Sequence, residues 1–381
     1  MIGGEAMMAN DSRKWAFPWF WVPWLVVSGA FAAAPDSVLL QAKREAEAKG
    51  YIFAASHDEI VAAAKKEGKM RALSGFPPEA IKALAAGFKK RYPFIDAQVV
   101  ELESTDGYQR FLLEMKAGSA REWDASVIGL EFYKEYAPYQ KRFDILGMAS
   151  QGVVNILPRM VDPMSRNIVA VCSGMQVVAY NRKLLSEQQV PERWEGFLEP
   201  QFKGRRFIAD IRPKDVAALV PAWGLEKTLD FARKLAAQQP VWVRGGSRLL
   251  NAMTAGEYAL FLGPNFNTVV RFQAKDATGS LAYKIVEPVP TRLFHMADGV
   301  LHSSAHPYAG LLWLEFQASF EGQKILDEYA PVQASIFTPG SAMAKETGGR
   351  KLSGVDWNHL TRMEEYQAKI SEAYGFPKEG K

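Results

Sequence analysis

An α/β architecture built in two blocks is what this sequence predicts, and three observations predict it. From Met70 onward, strand-like and helix-like segments alternate in the order β-α-β-α-β. A second alternating set begins near Asn167. At 381 residues the chain is too long for one compact core, so two domains are expected. Strands separated by helices in this order form an open, largely parallel sheet with crossover helices.

In the first block, Arg71 to Gly75 reads as a short strand entering a glycine turn. Pro77 to Arg91 reads as a helix with Ile81, Leu84 and Phe88 on one face and proline at its start, where no amide donor is lost. Ala97 to Leu102 is a second strand, Thr105 to Ala117 a helix closed by Gly118, and Asp124 to Ile128 a third strand. In the second block, Ile168 to Asn181 is strand-rich with a kink at Gly174, which suits a crossing between domains. Phe207 to Asp210 and Tyr258 to Leu262 are strands, Val216 to Gln238 and Arg248 to Ala255 helices. Ala297 to Leu301 is extended, and a helix follows from about Pro307 to Phe320. Leu360, Met363, Gln367, Ile370 and Tyr374 lie three or four apart on a terminal helix. Residues 340–354, rich in glycine, are expected to form a mobile loop. Ahead of the first block, residues 33–69 read as helical, with the capping spacing Ser56 to Glu59 and a stop at Gly68.

Composition narrows the function classes. Lys and Arg number 46 against 42 Asp and Glu, a net charge of +4, which gives no support to a nucleic-acid binder. The single cysteine, Cys172, excludes an internal disulfide framework and any CxxC knuckle. It lies in an apolar run and reads as a buried small hydrophobe. His302 and His306 have the spacing of a helical zinc pair, but Pro307 biases His306 away from helical geometry, so no metal or cofactor is expected there. Ser303 and Ser304 stand beside a histidine without a GxSxG elbow, and GxGxxG and P-loop motifs are absent. The chain is therefore read as a binding protein and not an enzyme.

The first 32 residues read as an export signal. Arg13 and Lys14 precede an apolar run, Trp15 to Val27, broken by Pro18 and Pro23 and followed by Ala30-Phe31-Ala32, a small-x-small cleavage pattern. The run is shorter than the roughly 20 residues that span a bilayer. A soluble, monomeric periplasmic protein is expected.

Several ordered segments carry a resemblance. Phe88-Lys-Lys-Arg-Tyr92-Pro93, Glu114-Met-Lys-Ala-Gly118 with Trp123-Asp124, Val177 to Leu185, Pro191 to Gly204, and Ala305-His306-Pro307-Tyr-Ala309 with Glu321-Gly322-Gln323 are similar, in order and spacing, to the solute-binding proteins of ABC importers. The resemblance is to the branch that includes ferric-iron binders. It implies a type II binding-protein fold of two lobes, each a mainly parallel sheet flanked by helices, joined by crossing hinge strands. Lobe 1 would comprise 70–170 and 290–381, and lobe 2 would comprise 171–289. It also implies a small-molecule solute held in the cleft and delivered to a membrane permease.

Independently of the name, ligands of open α/β sheets bind beyond the C-terminal ends of the strands, where loops and helix N-termini converge. The loops so placed supply Ser74, Gly75, Thr105, Tyr108, Gly129, Ser173, Gly246, Ser247, Asn265 and Asn267 as candidate ligand-binding residues. Arg212, Arg244 and Arg248 stand near them. One of these with the Gly245-Gly246-Ser247 turn suits an organic or oxo anion, which is the favoured solute. Iron-binding relatives implied by the resemblance coordinate Fe(III) with an adjacent tyrosine pair. With Asn265 aligned to the family's asparagine, those two positions hold Asn267 and Thr268, neutral groups that suit a hard ion poorly. Tyr133, Tyr136 and Tyr139, spaced by three, read as packing residues. Ferric iron or a ferric chelate is the alternative ligand, and a sensor ectodomain or a secreted enzyme is the alternative role.

Overall fold

The computed structural model describes residues 35–376 apart from 103 and 245; the expected export signal over 1–32 lies outside the described residues. The strands are β1 Lys69–Ser74, β2 Asp96–Glu101, β3 Ala125–Gly129, β4 Gly174–Asn181, β5 Ile208–Asp210, β6 Val241–Val243, β7 Leu260–Asn265, β8 Leu281–Lys284, β9 Val289–Arg292, β10 Met296–Val300 and β11 Leu352–Val355. They form two sheets. The first has the order β10-β3-β1-β2, with β1 parallel to β2 and β3 and β10 antiparallel to β3. The second has the order β11-β9-β4-β7-β5-β6, with β8 paired to β4. In it β5 is parallel to β6 and β7, while β4 runs antiparallel to β7, β8 and β9.

Apolar periodicity explains the packing. The crossover helix Pro78–Arg91 buries Ala80, Ile81, Leu84 and Phe88, a stripe of helical spacing. Phe88 meets Trp313 edge-on, ring centroids 5.4 Å apart. Trp313 belongs to the helix Pro307–Ala318, which is apolar all round and therefore buried along almost its whole length. The Glu67 carboxylate accepts the Tyr308 and Ala309 amides at 3.2 and 2.8 Å, satisfying donors that the start of that helix leaves open. The helix His57–Glu67 so lies against the first core, capped by Ser56, which accepts the Glu59 amide at 3.2 Å, and closed by Gly68 at φ 67°. Strand β4 is buried on both faces. Met175, Val177 and Ala179 share one core with Ile208 and Phe261; Val178 and Tyr180 share the other with Ala209, Leu260 and Leu262.

The structure differs from expectation in four places. Residues 216–238 form not one helix but Lys214–Ala217, Val220–Trp223 and Leu225–Ala237, interrupted at Ala218 and Leu219, just ahead of Pro221, and at Gly224, whose φ is 77°. Residues 340–354 are no loop. Ser341 caps the helix Ala342–Thr347, accepting the Ala344 amide at 3.1 Å, and β11 pairs in parallel with β9. Of the segment 168–181, only Gly174–Asn181 is strand. The helix Met363–Ala373, placed with the first lobe by the sequence division, instead buries Tyr366 and Ile370 in a core of the second sheet. Tyr136 is buried with its hydroxyl donating to the Ser126 carbonyl at 2.7 Å, and Tyr133 donates to Asp162, so both pack as expected. His306 precedes the helix Pro307–Ala318 and turns Nδ1 to the Asp124 carboxylate at 3.1 Å.

Asp298, on β10, is buried in the first core, and its Oδ2 has no hydrogen-bond partner among the described residues. Burial pushes its carboxyl up to about 8 from an ordinary 3.8. The folded state therefore binds the proton more tightly than the unfolded chain does. Its contribution to stability is complete below about pH 3.8 and declines as pH rises toward about 8. Asp298→Asn has no such titration. Urea unfolding at pH 5 and pH 8 should show wild type losing stability relative to this variant at the higher pH; a constant difference would show that the carboxyl does not hold its proton.

Candidate functional site

A cleft of about 510 Å³ opens where the C-terminal ends of β1, β2 and β3 face those of β5 and β7 and the crossing strands β4 and β9. Gly75, Tyr108 and Gly129 line it from the first sheet, and Arg212, Gly246, Asn265 and Asn267 from the second, so these seven expected residues do come together. The glycines matter sterically. A Cβ on Gly75 would lie 2.5 Å from Met296 Sδ and 3.2 Å from the Tyr108 hydroxyl, so any side chain there would push the Met296 side chain aside. Asn265, the last residue of β7, leads directly into the helix Phe266–Lys275, of which Asn267 is the second residue, without a side-chain cap.

Four other expected residues, Ser74, Thr105, Ser173 and Arg244, lie elsewhere. Ser74 is buried at the end of β1, near the Phe76 amide at 3.5 Å. Thr105 is exposed on the first turn of the helix Ser104–Lys116, whose first residue, Ser104, lines the cleft. Ser173 is wholly buried; its Oγ donates to the Leu293 carbonyl at 2.7 Å and accepts the Ile336 amide at 3.0 Å, which commits it to joining chain segments. Arg244 is exposed beyond β6 and outside the cleft lining, and Ser247 opens the helix Ser247–Thr254. Arg212 reaches the cleft already paired: Nη2 donates to Asp210 Oδ2 at 2.8 Å and Nε to Oδ1 at 3.2 Å.

The strongest charges were not expected from sequence. Lys214, Arg271 and Arg292 line the cleft, and none has a carboxylate within ion-pair distance among the described residues. Arg292, at the end of β9, is held by neutral groups. Its Nη1 meets His295 Nδ1 at 3.3 Å, and Nη2 donates at 3.1 Å to the Gln176 amide oxygen when that amide is turned to donate to the Pro290 carbonyl at 2.9 Å. Burial, reinforced by the Arg292 charge, pushes His295 down to about 4, so the imidazole is neutral at physiological pH and Nδ1 can accept from the guanidinium. Burial likewise lowers Lys214 and Arg292, both partly offset by Glu131. Asp215 lies beneath the cleft floor, pushed up to about 7 by burial and, further, by Asp210, against the opposing Val216 amide. Glu101 and Glu131 complete the charged lining. Sequence offered a faint signal for Glu131 and Lys214, each two residues past a residue already chosen. It offered none for Arg271, Arg292 or His295.

Tyr108 is the one tyrosine among the described residues that line the cleft, and Thr268 does not join Asn267 there. Among the described residues no group of three or more His, Cys, Asp or Glu is arranged to hold a metal ion. No described helix is long and apolar enough to cross a membrane.

A two-lobed α/β protein with a ligand-sized cleft at the ends of its strands is the form of a solute receptor. The chain belongs to the family of bacterial extracellular solute-binding proteins, whose sequence profile matches residues 147–361. None of the curated proteins compared with the chain matches it. Solved structures share the type II binding-protein fold. The Trichodesmium IdiA (FutA) protein in complex with iron and citrate is 14% identical, with a TM-score of 0.61 over 81% of this chain and 100% of that one. Mannheimia haemolytica ferric iron-binding protein A, in an open conformation, is 15% identical, with a TM-score of 0.61 over 81% and 98%. Iron-bound HitA from Pseudomonas aeruginosa is 18% identical, with a TM-score of 0.56 over 80% and 99%.

Gly263, in β7, has φ 72°, and a Cβ there would run into the Asp215 carboxylate. Gly263→Ala should therefore lower stability by about 1–3 kcal/mol through backbone strain and the clash. Thermal unfolding checks this; an unchanged midpoint would mean that Asp215 moves aside freely.

Proposed function

We propose that this protein is the periplasmic substrate-binding component of an ABC importer. It captures a small organic or oxo anion between its lobes and hands it to a membrane permease without chemical change. The observation that carries the anion assignment is the set Lys214, Arg271 and Arg292: cations lining the cleft with no carboxylate paired to them among the described residues. Lys214 and Arg292 are desolvated there, and desolvated cations are costly; an anionic ligand repays that cost while drawing the lobes together. The family membership supports the role of solute binding, and the export pattern of residues 1–32 supports the periplasmic location.

Anions from a broad solute panel should raise the unfolding temperature in a concentration-dependent way, and scattering should show compaction on binding. Arg292→Gln should weaken the best anion by about ten- to a hundredfold, the loss expected for charge-assisted hydrogen bonds, with Arg292→Lys intermediate. Equal affinity of wild type and both variants would remove Arg292 from the site.

A ferric chelate is the second reading, favoured by Tyr108 on the cleft wall and by the iron complexes of the structural neighbours. Iron-loaded protein should then absorb visible light through the phenolate, and the band should vanish in Tyr108→Phe. A colourless iron-loaded sample sinks direct phenolate ligation.

A further inference from the structure

The charges of the cleft are sorted by lobe. From the first sheet come only acids: Glu101 at the end of β2 and Glu131 just past β3. From the second sheet, Arg212 is neutralised by Asp210, and Asp215 is buried below Gly263, leaving Lys214, Arg271 and Arg292 as the charges with no ion-pair partner among the described residues. The Glu131 carboxylate folds back over its own loop: a Cβ on Gly129 would lie 2.8 Å from Glu131 Oε2, so glycine is what lets the carboxylate turn there. Glu131 is close enough for its charge to act on Arg212, Lys214, Arg292 and His295, yet it forms no ion pair with any of them among the described residues. An acid on one wall thus faces cations on the other across open space.

That arrangement discriminates between ligands. A bare anion resting on Lys214 and Arg292 would lie opposite the Glu131 carboxylate. Like charges about 5 Å apart in a site of intermediate dielectric repel enough to weaken binding on the order of a hundredfold. A ligand that also carries a protonated amine turns the same carboxylate from a repulsive neighbour into a partner.

We infer that the cleft takes a zwitterion, its anionic group held by Lys214, Arg271 and Arg292 on the second lobe and its ammonium group held by Glu131 beside Tyr108 on the first. The inference rests on the reading of the chain as an anion-capturing solute receptor and narrows its substrate class. Each lobe grips one end of the ligand, so neither open lobe alone satisfies it. Closure then joins opposite walls through the solute.

The test compares three matched series by thermal shift and calorimetry: ω-amino carboxylates from glycine to ε-aminocaproate, alkanoates of the same lengths, and the corresponding alkylamines. Wild type should be stabilised by members of the amino carboxylate series and bind them at least tenfold tighter than the matching alkanoates. Glu131→Gln, at an exposed position, should leave the unliganded unfolding temperature unchanged. It should lose the preference for the amine and bind the alkanoates as well as wild type does, or better. Alkanoates that bind wild type as tightly as their amino counterparts overturn the zwitterion and leave the anion receptor standing. Stabilisation by alkylamines alone overturns both readings. Silence from all three series also overturns the zwitterion, and the broad anion panel then decides the wider reading.

Discussion

The crossing between the two bodies hangs on the hydroxyl of Ser173. It donates to the carbonyl of Leu293 and accepts from the amide of Ile336, so one side chain ties the outgoing strand, the returning strand and a third connection. Backbone bonds complete the knot: the Ser173 amide donates to the Gln333 carbonyl at 3.2 Å and the His295 amide to the Cys172 carbonyl at 3.0 Å. Buried polar groups with every partner in place fix geometry sharply. The cleft depends on that fixity. Gln176, Arg292 and His295 belong to the crossing strands or their ends, so the floor of the binding site and the hinge are built from the same pair of strands.

Local periodicity made most of the fold readable. The stripe Ile81, Leu84 and Phe88 announces a helix without any tertiary information, and the run 177–180 announces a strand covered on both faces. What could not be read is non-local. Glycines at 340, 348, 349 and 354 look like a loop, and only pairing with β9 makes a strand of Leu352–Val355. The terminal helix has an apolar face that fits either lobe equally well on paper. Its choice of the second core depends on where β11 and Trp357 have already delivered the chain.

The site was legible in proportion to how much topology dictates it. Gly75, Gly129 and Asn265 follow strands, and strand ends are where such folds bind, so they were findable. Ser173 satisfies the same rule and fails because a small polar residue beside glycine suits a hinge as well as a ligand; burial alone separates the two. Arg212 carried its own warning in the sequence, since Asp210 two residues earlier is within easy reach of its guanidinium. Arg292 and His295 were invisible because they stand on a returning strand whose approach to the cleft is set by residues more than a hundred positions away. The solved neighbours, at 14–18% identity, share the fold, so the ligand must be argued from the side chains present.

The last stretch of chain has an unusual itinerary. Strand β11 is hydrogen-bonded into the second sheet; Trp357 then stacks on Phe294 at 4.3 Å within the first core; six residues later the helix Met363–Ala373 returns to the second. A cord laced out and back across a seam limits how far that seam can gape. Any swing of one half against the other must slide the indole over its neighbouring ring or bend the few residues on either side of it. The width of the mouth is thus governed partly from behind, by a stretch of polypeptide that never needs to touch what enters.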